Sequence, residues 1–261
     1  MNVPSEGPTG CRDRAKVGLR QFPVTEQDEL LWVWMGAGEP PGPPPFRFPH
    51  FQEKGWSHYF MVTDFENEVT HLAEKFMDVP HTVFVHKGWF RHPRTVAVPM
   101  TVKTGDGSVL VNYVQPKDRI GFTDKLLNPR GEPAVHTDHF IMPNITKVDY
   151  HFGRRTSFLI ISQCTPVSTL QTRAYTAIIY RLGALTRPLK PFFRFYTRQV
   201  IDQDVVIMAN QGRSFRFEMD PPFRSTDADV VHLSIERLRE LGREGRDYRA
   251  VAKTTEKTIW V

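Results

Sequence analysis

A series of alternating strand segments constrains the fold of this chain more than any other feature. Residues 96–102 and 108–114 flank Gly105-Asp106-Gly107, a sequence typical of a tight β-hairpin. Three further segments are rich in Ile, Thr, Tyr and Phe and alternate in the same way: residues 140–152, 157–164 and 170–182. Because hairpins connect strands that run in opposite directions, the pattern predicts a twisted antiparallel sheet.

Helical periodicity and proline content divide the rest of the chain. Apolar residues three and four apart predict helices over residues 66–77, 196–211 and 226–242, the last two closing the chain. Six prolines between residues 39 and 49 exclude helix and sheet interior and predict a semi-rigid connector. We therefore expect three parts: a short β unit over residues 1–38 with strands at 19–24 and 30–35, a linker over 39–49, and one larger domain over 50–261.

The composition argues against several classes of protein. The 261 residues are 40% hydrophobic and 12% aromatic, as in a globular domain rather than a disordered chain. The net charge of +5 comes from dispersed basic residues without a dense Lys/Arg block, which argues against nucleic-acid binding. No apolar run reaches the roughly 20 residues that span a bilayer, and no apolar signal-peptide region is present at the N-terminus. We therefore expect a cytoplasmic protein without a membrane span.

The segment over residues 74–88 places Asp78, His81 and His86 among apolar side chains. Two imidazoles in such surroundings need partners, because burying a polar group unpaired costs roughly 1–3 kcal/mol. On an ideal helix residues five apart do not share a face, but Pro80 predicts a bend that could turn both rings into one pocket. The two histidines are either ligands of a metal ion or hydrogen-bonded residues of the core.

A second carboxylate, Asp204, lies in the middle of the apolar stripe of the helix predicted over residues 196–211, whereas Asp202 lies on the opposite face. An ionised carboxylate on a core-facing stripe is costly unless it is paired or bound to a metal. A salt bridge to a distant arginine is the alternative. Two histidines and one carboxylate, with open positions left over, suit a non-haem Fe(II) oxygenase.

Two motifs make the chain similar to a known family. They are D-x-x-H-x-x-x-x-H over residues 78–86 and Q-D-V-V-I-M-A-N-Q over residues 203–211. Over roughly residues 19–245 the chain resembles the catalytic C-terminal domain of the oxygenase (alpha) subunit of Rieske-type non-haem iron oxygenases. The resemblance is closest to the branch with pheophorbide a oxygenase and the O-demethylases. It implies an α+β helix-grip (START/Bet v1-like) fold, in which an antiparallel sheet wraps around a long helix and an apolar cavity.

The resemblance also implies roles for individual residues. His81, His86 and Asp204 would ligate mononuclear Fe(II), and Asp78 would pass electrons from a Rieske-cluster histidine of a neighbouring subunit, in a homotrimer. The implied reaction uses O2 to hydroxylate, demethylate or desaturate a bulky aromatic or polycyclic substrate, with electrons from a ferredoxin or reductase through a [2Fe–2S] centre. Among the surrounding residues, Glu74, Asp78 and Gln211 are candidates to orient the ligands, and Phe140, Met142 and Phe158 to line the cavity.

Two departures from the family pattern affect these expectations. The family usually has Glu-Asn where this chain has Glu74-Lys75. The Rieske cluster needs C-x-H and C-x-x-H motifs, and neither Cys11 nor Cys164 is followed by a histidine at the required spacing. We therefore expect the first 38 residues to be the remnant of a truncated Rieske domain, and the chain to bind iron without turnover unless a partner supplies electrons.

Two other functions remain open on the sequence. A helix-grip module that carries hydrophobic ligands without redox chemistry predicts that the two histidines do not converge with Asp204. A zinc hydrolase would also use three protein ligands and a water, but the sequence holds no H-E-x-x-H or comparable general-base pattern.

Overall fold

The computed structural model describes residues 20–36, 38–40, 42, 44–86, 89, 96–114, 127–128, 131–217, 224–226 and 228–260. The chain divides into two compact units, Met1–Pro49 and His50–Val261. Cys11 and most of residues 118–135 lie outside the described residues. Within the described part, no helix is both long enough and apolar enough to cross a membrane.

The first unit contains one hairpin, with β1 at Val24–Gln27 and β2 at Leu30–Val33. Asp28 and Glu29 both have positive φ angles, 55° and 62°, as a two-residue type I′ turn requires. The turn is therefore only two residues long, and β1 lies C-terminal to the predicted strand over residues 19–24, because residues 20–23 form no strand. Gln27 Nε2 donates to the carbonyl oxygens of Pro45 and Phe46 at 3.0 and 2.9 Å, so these linker residues lie against the hairpin.

The second unit is built on one eight-stranded sheet in which every neighbouring pair is antiparallel. Its strands lie in the order β10-β4-β5-β6-β7-β8-β9-β3. Their bounds are β3 Ser57–Phe65, β4 Ala97–Gly105, β5 Ser108–Tyr113, β6 Ala134–Ile141, β7 Ile145–Phe152, β8 Thr156–Ser168, β9 Gln171–Leu182 and β10 Lys253–Trp260. The predicted α+β class with a large antiparallel sheet is confirmed.

Two parts of the strand prediction are wrong. Residues 140–152 form the end of β6 and the whole of β7, because Pro143 lies in a turn between them and has no N–H to donate to a ladder. The chain also does not end in helices, since β10 follows them and pairs with β4. Only Ile259 of β10 is buried, which explains why hydrophobicity did not indicate a strand there.

Four helices accompany the sheet in the described residues: α1 Val69–Met77, α2 His81–Phe84, α3 Lys190–Phe217 and α4 Val230–Arg243. Helix α3 extends beyond the predicted bounds, residues 196–211, at both ends. Helix α4 starts four residues after Thr226, whose backbone N–H donates to Asp229 Oδ2 at 2.5 Å. It ends beyond Gly242, and Gly245 instead adopts the left-handed conformation (φ 68°) of a helix stop.

The helices pack on the sheet at different places. Ala73 and Met77 of α1 join Ile235 and Leu238 of α4 in one core over β4, β5 and β6. Helix α3 contributes Phe193 and Met208 to two further apolar clusters, which contain residues of β3, β8 and β9. The face of the sheet between these cores forms the floor of an internal cavity, described below.

Helix α3 passes close to the backbone that leads into α1. A Cβ atom on Gly212 would lie 2.0 Å from the carbonyl oxygen of Glu66, so only glycine fits without a shift of the backbone. Asn67 joins the same contact, because its Nδ2 donates to the Met208 carbonyl oxygen at 2.9 Å.

We expect Gly212→Ala to lower the free energy of unfolding by about 1–3 kcal/mol, because the added methyl group overpacks this contact. Gly105→Ala is the control, since a Cβ there meets no atom within 4 Å. It should change the free energy of unfolding by less than about 0.5 kcal/mol. Urea denaturation measures both, and equal stability of the two variants would contradict the close approach.

Candidate metal centre

The predicted bend at Pro80 brings the two histidines to one place. Helix α1 ends at Met77, and Asp78 after it is extended, with φ −88° and ψ 98°. Pro80 then caps the single turn of α2, so that His81 lies in that turn and His86 directly after it. Proline suits this first position because its missing N–H has no partner in a helix start.

His81, His86 and Asp204 converge, although Asp204 comes from α3. Asp204 Oδ1 lies 3.3 Å from His86 Nε2 and 3.8 Å from His81 Nε2, and the two Nε2 atoms are 3.3 Å apart. One possible ligand atom from each residue lies within 4.8 Å of the others. The side chains are 12%, 3% and 6% exposed, respectively, so the cluster is largely shielded from water.

The far side of each ring determines which nitrogen faces the cluster. His81 Nδ1 donates to the main-chain carbonyl oxygen of Asp78, and His86 Nδ1 donates to Gln203 Oε1 at 2.9 Å. A neutral imidazole with its proton on Nδ1 keeps its Nε2 lone pair for a metal ion. Asp204 Oδ1 itself is buried and has no hydrogen-bond partner among the described residues. A cation is the species that such a set of acceptors fits.

The residues that orient the ligands differ in part from those expected. Asp78 contributes through its carbonyl oxygen, but Gln211 instead accepts a hydrogen bond from Asn67 Nδ2 at 3.0 Å. Gln203 was not predicted for this role, although it belongs to the second motif and directly precedes Asp204 in sequence. Ligand histidines in metal proteins are held in this way by a partner on the other ring nitrogen.

Glu74 points away from the cluster. Its Oε2 lies 2.6 Å from His232 Nδ1 and 3.4 Å from His71 Nδ1. The sequence analysis gave no role to His232. In the structure it pairs with Glu74, and this hydrogen bond raises the pKa of His232 above its usual value.

Lys75 is the cation closest to the cluster among the described residues. Its Nζ lies 3.2 Å from Asp204 Oδ1, and the lysine side chain is only 10% exposed. Burial by itself raises the pKa of Asp204, but the neighbouring His86 and the charge of Lys75 outweigh it and hold that pKa below its usual range. Burial, aided by the charge of Lys75, lowers the pKa of His81 to about 3, so this ring is neutral at physiological pH, as a metal ligand must be.

Asp78 borders two spaces. Its side chain is 49% exposed and lines both the internal cavity and a second, larger cleft that also contains Lys75, His81 and Arg224. Its carboxylate Oδ2 lies 3.9 Å from His81 Nδ1. Asp78 therefore lies between the internal cavity and the larger cleft.

The cavity next to the cluster is small and mostly apolar. Its volume is about 110 Å³, and the cluster residues form one side of it. Strands β6 to β9 form the floor, and two of its pairs lie directly opposite one another on β8 and β9: Ile160 with Ile178, and Ser162 with Thr176. Of the three predicted lining residues only Phe158 takes part, since Phe140 and Met142 belong to the neighbouring core.

The comparison with known families decides the identity of this fold. The sequence pattern of the vanillate O-demethylase oxygenase C-terminal domain family matches residues 67–243. The chain belongs to this family. It is a family of Rieske oxygenase catalytic domains, whose members are oxidoreductases, so the predicted family is confirmed.

Solved structures of Rieske oxygenases share the fold. NdmB from Pseudomonas putida CBB5 has a TM-score of 0.67 at 16% identity, over 90% of this chain and 66% of NdmB. NdmA from the same strain, solved with caffeine, has a TM-score of 0.70 at 18% identity, over 98% and 73%. Dicamba monooxygenase bound to 3,6-dichlorosalicylic acid has a TM-score of 0.69 at 18% identity, over 84% and 68%. The chain thus spans just under two thirds of NdmB, and no curated protein sequence matches it.

We expect Glu74→Gln to lower the pKa of His232, because the variant loses the carboxylate that stabilises the imidazolium. In the unmodified protein the raised pKa means that the pair stabilises the fold fully below pH 6.5 and loses this contribution as the pH rises through the folded value. Glu236→Gln is the control, since that carboxylate is 3.7 Å from His232 Nε2 and 47% exposed. NMR titration should show a smaller shift for it, and equal shifts would contradict the assignment.

Proposed function

We propose that this chain is the catalytic domain of a terminal oxygenase that holds mononuclear Fe(II) through His81, His86 and Asp204. The observation that supports it is the convergence of two imidazole Nε2 atoms and one carboxylate oxygen within 4.8 Å, in a shielded place beside a cavity. Two histidines and a carboxylate are the ligands of non-haem iron oxygenases. When bound, the iron would supply activation of O2 for oxidation of a substrate in the cavity.

The residues around the three ligands favour iron chemistry over hydrolysis. A zinc hydrolase needs a general base beside the metal-bound water, and Glu74, the nearest glutamate in sequence, turns away to His71 and His232. Gln203 and the Asp78 carbonyl oxygen hold the rings in place. The apolar wall of Phe158, Ile160 and Ile178 excludes water from the reacting face.

The size of the cavity favours a compact aromatic substrate. An apolar cavity of about 150 Å³ binds benzene in another protein, and this one measures about 110 Å³. A single ring is therefore a better fit than the bulky or polycyclic substrate that the resemblance implied. Of the compounds bound in the similar structures, 3,6-dichlorosalicylic acid has a single ring, whereas caffeine has two fused rings. We propose oxidative demethylation or hydroxylation of a compact aromatic compound.

Electrons would reach the metal through Asp78. This carboxylate lies between the cluster and the outer cleft, where a [2Fe–2S] centre of a neighbouring subunit in a homotrimer could approach. The 261 residues contain no C-x-H or C-x-x-H motif, so the centre would be carried by residues outside this sequence and reduced by a ferredoxin or reductase. In this proposal the hairpin β1–β2 is the remnant of a Rieske domain, residues 39–49 are the linker, and residues 50–261 are the catalytic domain.

A metal-free carrier of hydrophobic ligands is the second candidate, and the apolar cavity is the observation that favours it. That function gives no reason for two histidine lone pairs and a buried carboxylate to face one another. The convergence of His81, His86 and Asp204 therefore supports the oxygenase over the carrier.

We expect the metal-free protein to bind one Fe(II) per chain under anaerobic conditions, and Asp204→Ala to abolish this binding. Asp202→Ala is the matched control, because Asp202 lies two residues earlier on α3, is 47% exposed and pairs with Arg198 at 2.8 Å. Calorimetry and metal analysis measure the stoichiometry. Unchanged iron binding by Asp204→Ala, or preferential uptake of zinc with hydrolytic activity, would contradict the proposal.

We expect Val200→Phe to weaken binding of anisole, a single-ring methyl ether, at least tenfold, because the larger side chain occupies the cavity that Val200 lines. Val206→Phe on the same helix is the control, since Val206 is 62% exposed. Isothermal calorimetry on the iron-loaded protein measures both affinities. Equal affinities of the two variants would place the substrate elsewhere.

A further inference from the structure

A lysine lies beside the three proposed metal ligands. Lys75 belongs to the last turn of α1, and its side chain, 10% exposed, turns inward to the cluster. Asp204 Oδ1 is the atom on which the surrounding nitrogens converge: Lys75 Nζ at 3.2 Å, His86 Nε2 at 3.3 Å and His81 Nε2 at 3.8 Å. The ammonium group thus contacts the same oxygen that a bound metal ion would use.

This contact is a buried ion pair. Lys75 Nζ and Asp204 Oδ1 are 3.2 Å apart, and the two side chains are only 10% and 6% exposed. A lysine ammonium is a compact charge on a flexible four-carbon stem, so it can move without disturbing the helix. The pair compensates the buried charge of Asp204 in the absence of a metal ion.

A divalent ion at this site and the Lys75 ammonium group would repel each other. An ion bound to Asp204 Oδ1 and both Nε2 atoms would lie a few ångströms from Lys75 Nζ, in a shielded site where like charges repel strongly. Metal binding must therefore displace the ammonium group and also overcome its residual repulsion. A neutral amide at the same position has neither effect.

We propose that Lys75 is an internal counter-ion that competes with the metal for Asp204 and makes the site bind its metal more weakly and release it more readily. This inference rests on the proposed function, because it assumes that His81, His86 and Asp204 are the ligands. Lys75 acts through Asp204 and is a positioning residue. Lys75 stabilises the metal-free protein and lowers its affinity for the metal. A purely structural residue would not have these two opposite effects.

The test compares metal affinity and metal-free stability in matched variants. Lys75→Met removes the charge and keeps an unbranched side chain of similar length, whereas Lys75→Arg keeps the charge. Lys103→Met is the control, because it removes an exposed lysine of β4. Affinities for Co(II) and for Fe(II) are measured anaerobically by competition with a chelator. Unfolding of the metal-free proteins is followed in the presence of excess chelator.

We expect Lys75→Met to bind both ions at least tenfold more tightly than the unmodified protein, and its metal-free form to unfold at lower temperature. Lys75→Arg should not tighten binding, and Lys103→Met should stay within twofold. Lys75→Gln serves in place of Lys75→Met if that variant does not fold. Equal or weaker binding by both neutral variants overturns the inference and leaves the proposed function intact. If no variant and no unmodified protein binds either ion, the proposed function fails as well.

Discussion

Two imidazole Nε2 atoms and the Oδ1 atom of Asp204 lie within 3.8 Å of one another in a largely buried place, and the need to balance the charge there is the constraint on which the structure depends. Each ring is held with its proton on the far side, by the Asp78 carbonyl oxygen for His81 and by Gln203 for His86. Such an arrangement is unfavourable unless positive charge enters it. The fold holds it in place by rigid means, because the bend after α1 fixes the histidines and the long helix α3 fixes Asp204.

The sheet contributes the second half of the site through its register. Residues of β8 and β9 that lie directly opposite each other point to the same face, so alternate positions on four neighbouring strands build one continuous floor. Small changes of register would turn these side chains away from the cavity. The long ladders of β7, β8 and β9 therefore have a role beyond stability, since they keep the apolar floor aligned beside His81, His86 and Asp204.

The sequence indicated that His81, His86 and Asp204 need partners because each is polar in an apolar setting, and the structure brings the three together. Pro80 also gave a physical reason for the bend that unites His81 and His86. The partners of these residues could not be predicted from the sequence. The contacts of His86 with Gln203 and of Asp204 with Lys75 join residues more than 110 positions apart, and they form only when α3 packs beside α1 and the segment after it. The same limit explains the fold errors: β10 has a nearly polar sequence and is defined by its pairing with β4, not by its own pattern.

The floor of the cavity and the three residues proposed to bind the metal come from different secondary structure elements, and this separation has an evolutionary consequence. His81, His86 and Asp204 belong to helices or directly follow one, whereas Phe158, Ile160 and Ile178 belong to strands. Mutations that exchange these strand side chains change the shape of the cavity without moving the three proposed ligands. A lineage built on this architecture can therefore accept new compounds while the proposed metal centre stays unchanged.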